Sequence, residues 1–219
     1  MSEFENEPVR GLPERLPAGE VLLWQGQPSW RALAIRAFHV RKIAIYFGLL
    51  LTWRVASGLL GGTSPSGLAE YLLWILPVPL AAVGIPTLLA WLYSRTTVFT
   101  ITNRRVVMRY GVALPWSLNL PFSIVKSAAV SVNRDGTADI PLVLAGTGRV
   151  SYLHLWPFAR PWRINHPQPM LRSVVDGQEA ASILARALKS YSETSPDGAM
   201  AIQVPALPAS DNRPAAAAA

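Results

Sequence analysis

Leu72–Tyr93 reads LLWILPVPLAAVGIPTLLAWLY, a run without one charged side chain. At a helical rise of about 1.5 Å per residue, about 20 apolar residues cross a hydrocarbon layer of roughly 30 Å. The stretch is long enough to be a membrane span. Immediately upstream, Ile43–Leu60 is nearly as apolar, interrupted by Thr52, Arg54 and Ser57. The Gly/Ser/Pro-rich stretch Gly61–Tyr71 is expected to be a short turn, so that 43–60 and 72–93 form a two-helix transmembrane hairpin within 43–93. The competing reading is a pair of buried helices in a soluble protein. A chain of 219 residues has little remaining surface with which to cover two such helices.

Composition points the same way. Hydrophobic residues make up 51%, charged residues 15%, and mean hydropathy is +0.27, whereas a soluble domain carries about 25% charge. The net charge of +7 suits an anionic membrane or nucleic acid. The apolar excess favours the membrane, and the basic residues cluster beside the spans, so no nucleic-acid partner is expected. The absence of cysteine excludes disulfides, thiolate metal sites and cysteine nucleophiles.

Orientation follows from basic residues flanking the spans. Arg31, Arg36, Arg41 and Lys42 precede the first span, and Arg95, Arg104, Arg105 and Arg109 follow the second. The turn contains only Glu70. Both termini are therefore expected in the cytoplasm, with the chain a multi-pass protein of the bacterial inner membrane, cytoplasmic or intracytoplasmic. The first 20 residues carry five glutamates and three prolines, do not read as a signal peptide, and are expected to be a flexible acidic head. Residues 21–42 mix Trp24, Trp30 and Phe38 with arginines, which suits either an interfacial segment or an ordinary partly buried helix from about Ser29.

Beyond Arg95 the texture changes to short runs of strand character. Val98–Thr102, Arg105–Tyr110, Val112–Leu120, Ile124–Asn133, Thr137–Ala145, Arg149–Trp156 and Met170–Val175 are separated by Gly111, Asn133-Arg134-Asp135-Gly136 and Gly146-Thr147-Gly148. Ala180, Ile183, Leu184, Ala187, Leu188 and Tyr191 then form one helical stripe, with Asp176 and Glu179 placed as a capping pair. The expectation is a β-rich domain over 95–191, about seven bent strands closed by a C-terminal amphipathic helix. A disordered Pro/Ala-rich tail follows over 192–219.

This order of elements resembles the bacterial pleckstrin-homology-like (PH-like) domains found behind membrane hairpins. The resemblance is carried by Thr100-Ile101-Thr102-Asn103-Arg104-Arg105-Val106-Val107, Gly111, Leu120-Pro121-Phe122-Ser123-Ile124-Val125 and Gly136-Thr137-Ala138-Asp139-Ile140. The last stands where such domains often have Gly-x-Gly-Asp-Ile, with Ala138 replacing the second glycine. Together with Leu16-Pro17-Ala18-Gly19-Glu20-Val21-Leu22-Leu23-Trp24-Gln25-Gly26 and Pro28-Ser29-Trp30, the chain is similar to the PuhB family of photosynthetic-complex assembly proteins from purple bacteria. The similarity spans roughly 12–190. It implies a non-enzymatic assembly factor for the photosynthetic reaction centre, possibly through its H subunit, and for the core antenna, light-harvesting complex 1. The alternative is a membrane-anchored lipid-binding or scaffold module of general membrane physiology.

Catalytic patterns are missing. His39, His154 and His166 lack metal-ligand spacing, and no nucleophile elbow or phosphate loop occurs. Gly61-Gly62-Thr63-Ser64 lacks the lysine a phosphate loop needs. Asp135 and Asp139 flank a turn glycine, and turn chemistry accounts for Asp135. No enzyme activity and no cofactor are expected, although His39 beside the first span could ligate a pigment magnesium.

Contact candidates remain. Arg54 within a span either snorkels to headgroups or pairs with an acidic group of a client or second protomer. Pro77, Pro79 and Pro86 (with Gly84) interrupt the second span and imply packing within the hairpin or a groove for a client helix. Arg104, Arg105 and Arg109 could meet anionic lipid. Trp156, Phe158, Arg160, Trp162 and Arg163 form a proline-bounded loop that either contacts a partner or lipid, or completes the core. Exposed helix faces are compatible with a homodimer, though no interface motif is present.

Overall fold

The computed structural model describes residues 11–12, 15–145 and 151–194. The Gly146–Gly148 turn, residues 195–219 of the expected tail, and most of the expected head lie outside them.

The hairpin is longer than its apolar core. Helix α2 covers Val40–Leu60, α3 covers Pro65–Ile75 and α4 covers Pro77–Thr96. The connecting turn shrinks to residues 61–64, because Ser64 caps α3 by accepting a hydrogen bond from the Gly67 amide at 3.2 Å and Pro65 supplies a preset first-turn φ. Residues 65–71, expected in the turn, are therefore helical. α2 and the combined α3–α4 are long and apolar enough to cross a membrane, and only 6% of the most apolar stretch of each is buried within the molecule.

The segment 21–42 divides in two. Leu22–Gly26 is strand β1, and Trp30–Arg36 is a short helix α1. β1 pairs antiparallel with β2 (Val98–Thr102), Gln25 opposite Thr100. Its alternating exposure explains why the amide groups, more than any apolar run, hold it there. The hairpin is thus inserted between the first two strands of a sheet. β3 (Arg105–Tyr110) and β4 (Trp116–Pro121) complete that sheet in the order β1-β2-β3-β4.

The second sheet is centred on β7 (Ala138–Leu144). β5 (Val125–Ala128) and β6 (Ser131–Val132) lie on one side of it and β8 (Met170–Val174) on the other. The single strand expected over Ile124–Asn133 is split at Ala129-Val130. Pro141 in the central strand has no amide to donate, and the ladders around it shift register. Of the strand expected over Arg149–Trp156, residues 149–150 lie outside the described residues, and Tyr152–Leu155 is instead a turn of helix, α5, which places Leu155 in the core. The strand expected from Val112 starts only at Trp116. Gly111 has φ of +123°, and a Cβ there would lie 2.0 Å from the Leu114 carbonyl oxygen, so the chain turns before it pairs.

Helix α6 (Gly177–Thr194) closes the two sheets. Ala180, Leu184, Ala187 and Leu188 are buried in the same core as Phe99, Ile101, Met108, Leu120, Ile140 and Leu171, with Ile183 and Tyr191 packed at the margin. The fold is therefore an apolar helical hairpin plus a β-rich domain of two antiparallel sheets and a C-terminal amphipathic helix. The junction is continuous: Leu33, Ala34 and Phe38 around α1 and Ala90 of α4 belong to the same core. Arg36 fixes α1 to the β6–β7 turn, donating to Thr137 Oγ1 at 2.6 Å and Asp135 Oδ1 at 2.9 Å.

Candidate functional site

The outward faces of the hairpin are its most conspicuous chemical feature. Leu49, Trp53, Leu73 and Trp74 are exposed. Between α2 and α3–α4 lies a groove of about 260 Å³ lined by Phe47, Leu50, Leu51, Ile75, Val78 and Pro79. Arg54 and Tyr71 also line it, and the guanidinium carbon stands 4.3 Å from the centroid of the Tyr71 ring. Such a cation–π contact contributes about 0.5–2 kcal/mol, more as water is excluded. Arg54 is six residues from the end of α2, about 9 Å along the helix, within reach of the turn end for a long side chain.

The prolines divide by position. Pro77 opens α4 and Pro79 falls in its first turn, where amides have no intrahelical acceptor to lose. Only Pro86 is interior, so one bond within α4 is sacrificed, not three.

The three arginines near β3 are not one continuous basic patch. Arg105 donates to both carboxylate oxygens of Glu20, at 2.7 and 2.9 Å, and the Glu20 side chain is almost wholly buried. Arg104 belongs to the β2–β3 turn. Arg105 lies at the end of the sheet remote from the hairpin, while Arg109 stands opposite Val98, just after α4. They are four positions apart, about 13 Å along a strand. Leu12 is buried near Arg105, over the outward side of β3 at Val107. The start of the described chain is therefore packed, because the outer face of the sheet needs a cover.

The aromatic loop divides as well. Phe158 is core, meeting Phe99, Tyr110 and Tyr93 edge-on at ring-centroid distances of 5.4, 5.6 and 6.3 Å. Trp156 packs on Phe38 and Tyr93 at 5.1 and 6.1 Å but remains partly exposed. Arg160 donates to Gln168 at 2.9 Å and closes the base of a loop whose two sides meet at Ala159 and Pro169. Trp162 at its tip is 94% exposed with φ of +65°, next to exposed Arg163 and Ile164.

Arg172 and Glu20 were not legible as important. The Arg172 guanidinium donates to the Arg36 carbonyl at 2.7 Å and the Pro157 carbonyl at 3.1 Å, fastening α1 to the loop before β8. Burial holds its pKa below the ordinary arginine value, with Asp139 opposing that trend. Burial, and then the neighbouring Tyr93, push the Tyr110 hydroxyl pKa up. Asp139 accepts from the Ser173 amide at 2.6 Å and Asp135 pairs with Arg36, so the two carboxylates have separate structural tasks. His39 sits exposed at the left-handed kink between α1 and α2. Among the described residues no three His, Asp or Glu side chains converge as a metal site.

A sequence profile of the bacterial PH domain matches residues 55–188, more than half of the chain. The chain belongs to the bacterial PH domain family. Such PH-like domains are typically binding modules without catalysis. A protein of Rhodobacter capsulatus described as an "uncharacterized 23.7 kDa protein in puhA 5'region" is 35% identical over 191 residues, covering 86% of this chain and 88% of that protein. No solved structure matches the chain.

Proposed function

We propose that this protein is a non-enzymatic assembly factor for the photosynthetic reaction centre and its core light-harvesting antenna, of the PuhB kind, in the inner membrane of a purple bacterium. The observation that carries the reading is structural. Two long apolar helices keep their outward faces uncovered, and a binding-type domain is fused to them through one shared core. A hairpin spanning the membrane in this form presents lateral contact surface to client helices while the PH-like domain meets their cytoplasmic parts. The client is suggested by the relative in the puhA region, puhA being reaction-centre H. Both termini face the cytoplasm in this reading, with Arg41 and Lys42 at the start of α2 and Arg95 at the end of α4 on that side and Glu70 on the other. The groove beside Arg54 is the candidate seat for a client helix, and an acidic client residue is the partner that Arg54 would recognise.

Affinity purification of the tagged full-length protein from photosynthetic membranes tests this directly. Reaction-centre subunits, H among them, are expected to co-purify, and deletion is expected to lower reaction-centre and core-antenna levels while pigment synthesis continues. Loss of all pigment on deletion would overturn the assembly reading. The general lipid-scaffold alternative relied on a common basic face of Arg104, Arg105 and Arg109, and the Glu20 pairing of Arg105 weakens it. Direct pigment ligation by His39 would show as co-purifying pigment absorbance lost in His39→Ala.

A further inference from the structure

Several exposed apolar side chains of the β-rich domain collect at the end where the hairpin joins it. β2 begins at Val98, directly after α4, and β3 returns antiparallel with Arg109 opposite Val98. The turn after Tyr110 therefore emerges level with the end of α4 and continues toward the hairpin. That turn carries Leu114, 72% exposed, and leads to Trp116, 51% exposed and paired with Tyr110 in the ladder. Trp116 lies 5.0 Å from the His154 ring of α5, and the adjacent Leu153 is 83% exposed. Trp156, one residue beyond α5, rests on Tyr93 of α4. Two separate loops thus bring Leu114, Trp116 and Leu153 to the same end as Tyr93 and Arg95, where Arg95 stands over Trp91.

We propose that the β3–β4 turn and α5 form a membrane-docking edge that inserts Leu114, Trp116 and Leu153 into the cytoplasmic headgroup boundary of the bilayer the hairpin spans. The proposal rests on the hairpin being membrane-inserted. Turns facing water are ordinarily polar, whereas this one reads Gly111-Val112-Ala113-Leu114-Pro115. Trp beside basic residues is the composition of the lipid interface. The occupant is set by continuity: the same short junction that ends α4 begins β2, so the edge cannot lie far from the headgroups that α4 leaves. Docking at two loops besides the two helix connections would hold the domain at one orientation to the membrane plane, as presentation to a membrane-embedded client requires.

The chain has no cysteine, so single cysteines can carry an environment-sensitive NBD label in the full-length protein. The probes are Leu114→Cys and Leu153→Cys on the edge, Leu49→Cys within α2, and Ser123→Cys at the opposite end of the sheet. All four positions are exposed, so the fold tolerates the label. In vesicles of phosphatidylcholine and phosphatidylglycerol, Leu49→Cys should be quenched most by deep doxyl lipid. Leu114→Cys and Leu153→Cys should be quenched about twofold by shallow doxyl lipid, with blue-shifted emission, and Ser123→Cys should be unaffected. If Leu49→Cys is quenched but the edge probes behave like Ser123→Cys, the docking edge is wrong while the hairpin reading stands. If Leu49→Cys is also unquenched, the membrane reading fails and the edge fails with it. A blue shift at the edge without doxyl quenching overturns the proposal in favour of a protein contact.

Discussion

Arg105 and Glu20 show how one pair can mislead when read along a chain. Arg105 stands in a basic run, yet it is bound to a buried carboxylate contributed from before the hairpin. Removing the cation leaves that carboxylate desolvated and unpaired, which typically costs about 3–5 kcal/mol. Arg105→Met should therefore lower stability by about 3 kcal/mol in a denaturant titration of the detergent-solubilised protein, whereas Arg104→Met should change it little. Replacing both partners, Glu20→Leu with Arg105→Met, should recover much of the loss. Asp135 is the acid-sensitive counterpart. Partial burial alone would raise its pKa, but hydrogen bonds from Arg36 and Thr137 outweigh that and hold it below the ordinary value. A carboxyl lowered on folding contributes stability that is complete above its unfolded pKa, about 3.9, and is lost as pH falls through the folded value. Because the pair is partly exposed the effect is small. Asp135→Asn should flatten the acid side of a stability profile below about pH 4 and leave stability near neutrality only slightly reduced. Arg54 belongs to this scale too. With a client seated beside it, Arg54→Leu should insert at normal protein level yet lower reaction-centre yield, and an unchanged yield would confine Arg54 to the Tyr71 contact.

At the scale of elements, close approach matters more than periodicity. The first turn of α6 lies directly on β7, where a Cβ on Gly177 would come within 2.1 Å of the Ala138 Cβ. Ala138, which replaces a glycine of the related motif, is accommodated because the facing helix residue has no side chain. Gly177→Val should lift α6 from the sheets and cost about 1–3 kcal/mol, visible as a lowered melting temperature. The amphipathic stripe of α6 could be read from its 3.6-residue spacing, and the spans of β2 and β3 from short apolar and β-branched runs bounded by turn residues, although both strands are largely buried on both faces. α5 could not. Its four residues are too few for a period, and only the contacts of Leu155 and Phe158 with the core settle that the chain turns instead of extending. The prolines of the second span make the same point, since their cost depends on where α3 ends and α4 begins, and Pro77 is harmless only as the opening residue of a new helix.

For the whole molecule, the decisive relation is that β1 and β2 are neighbours across the inserted hairpin. A fragment of residues 95–191 would expose the β2 edge, lose Glu20 and α1, and open the core at Leu33 and Phe38. It should aggregate or unfold without cooperativity in thermal melts, while joining residues 15–38 to it through a flexible linker should restore a cooperative transition. If the fragment alone melts cooperatively, the N-terminal segment is dispensable to the domain. Sequence alone determined the apolar hairpin, the β-rich texture after it and the final amphipathic helix, because hydropathy, turn residues and helical spacing are properties of neighbouring positions. Tertiary structure alone decided that Leu22–Gly26 is a sheet strand, that Arg105 is neutralised by Glu20, and that Leu114, Trp116 and Leu153 share one edge beside the helices. Those outcomes depend on contacts between residues distant in the chain, whose free energy is realised only when the sheet closes and the core excludes water.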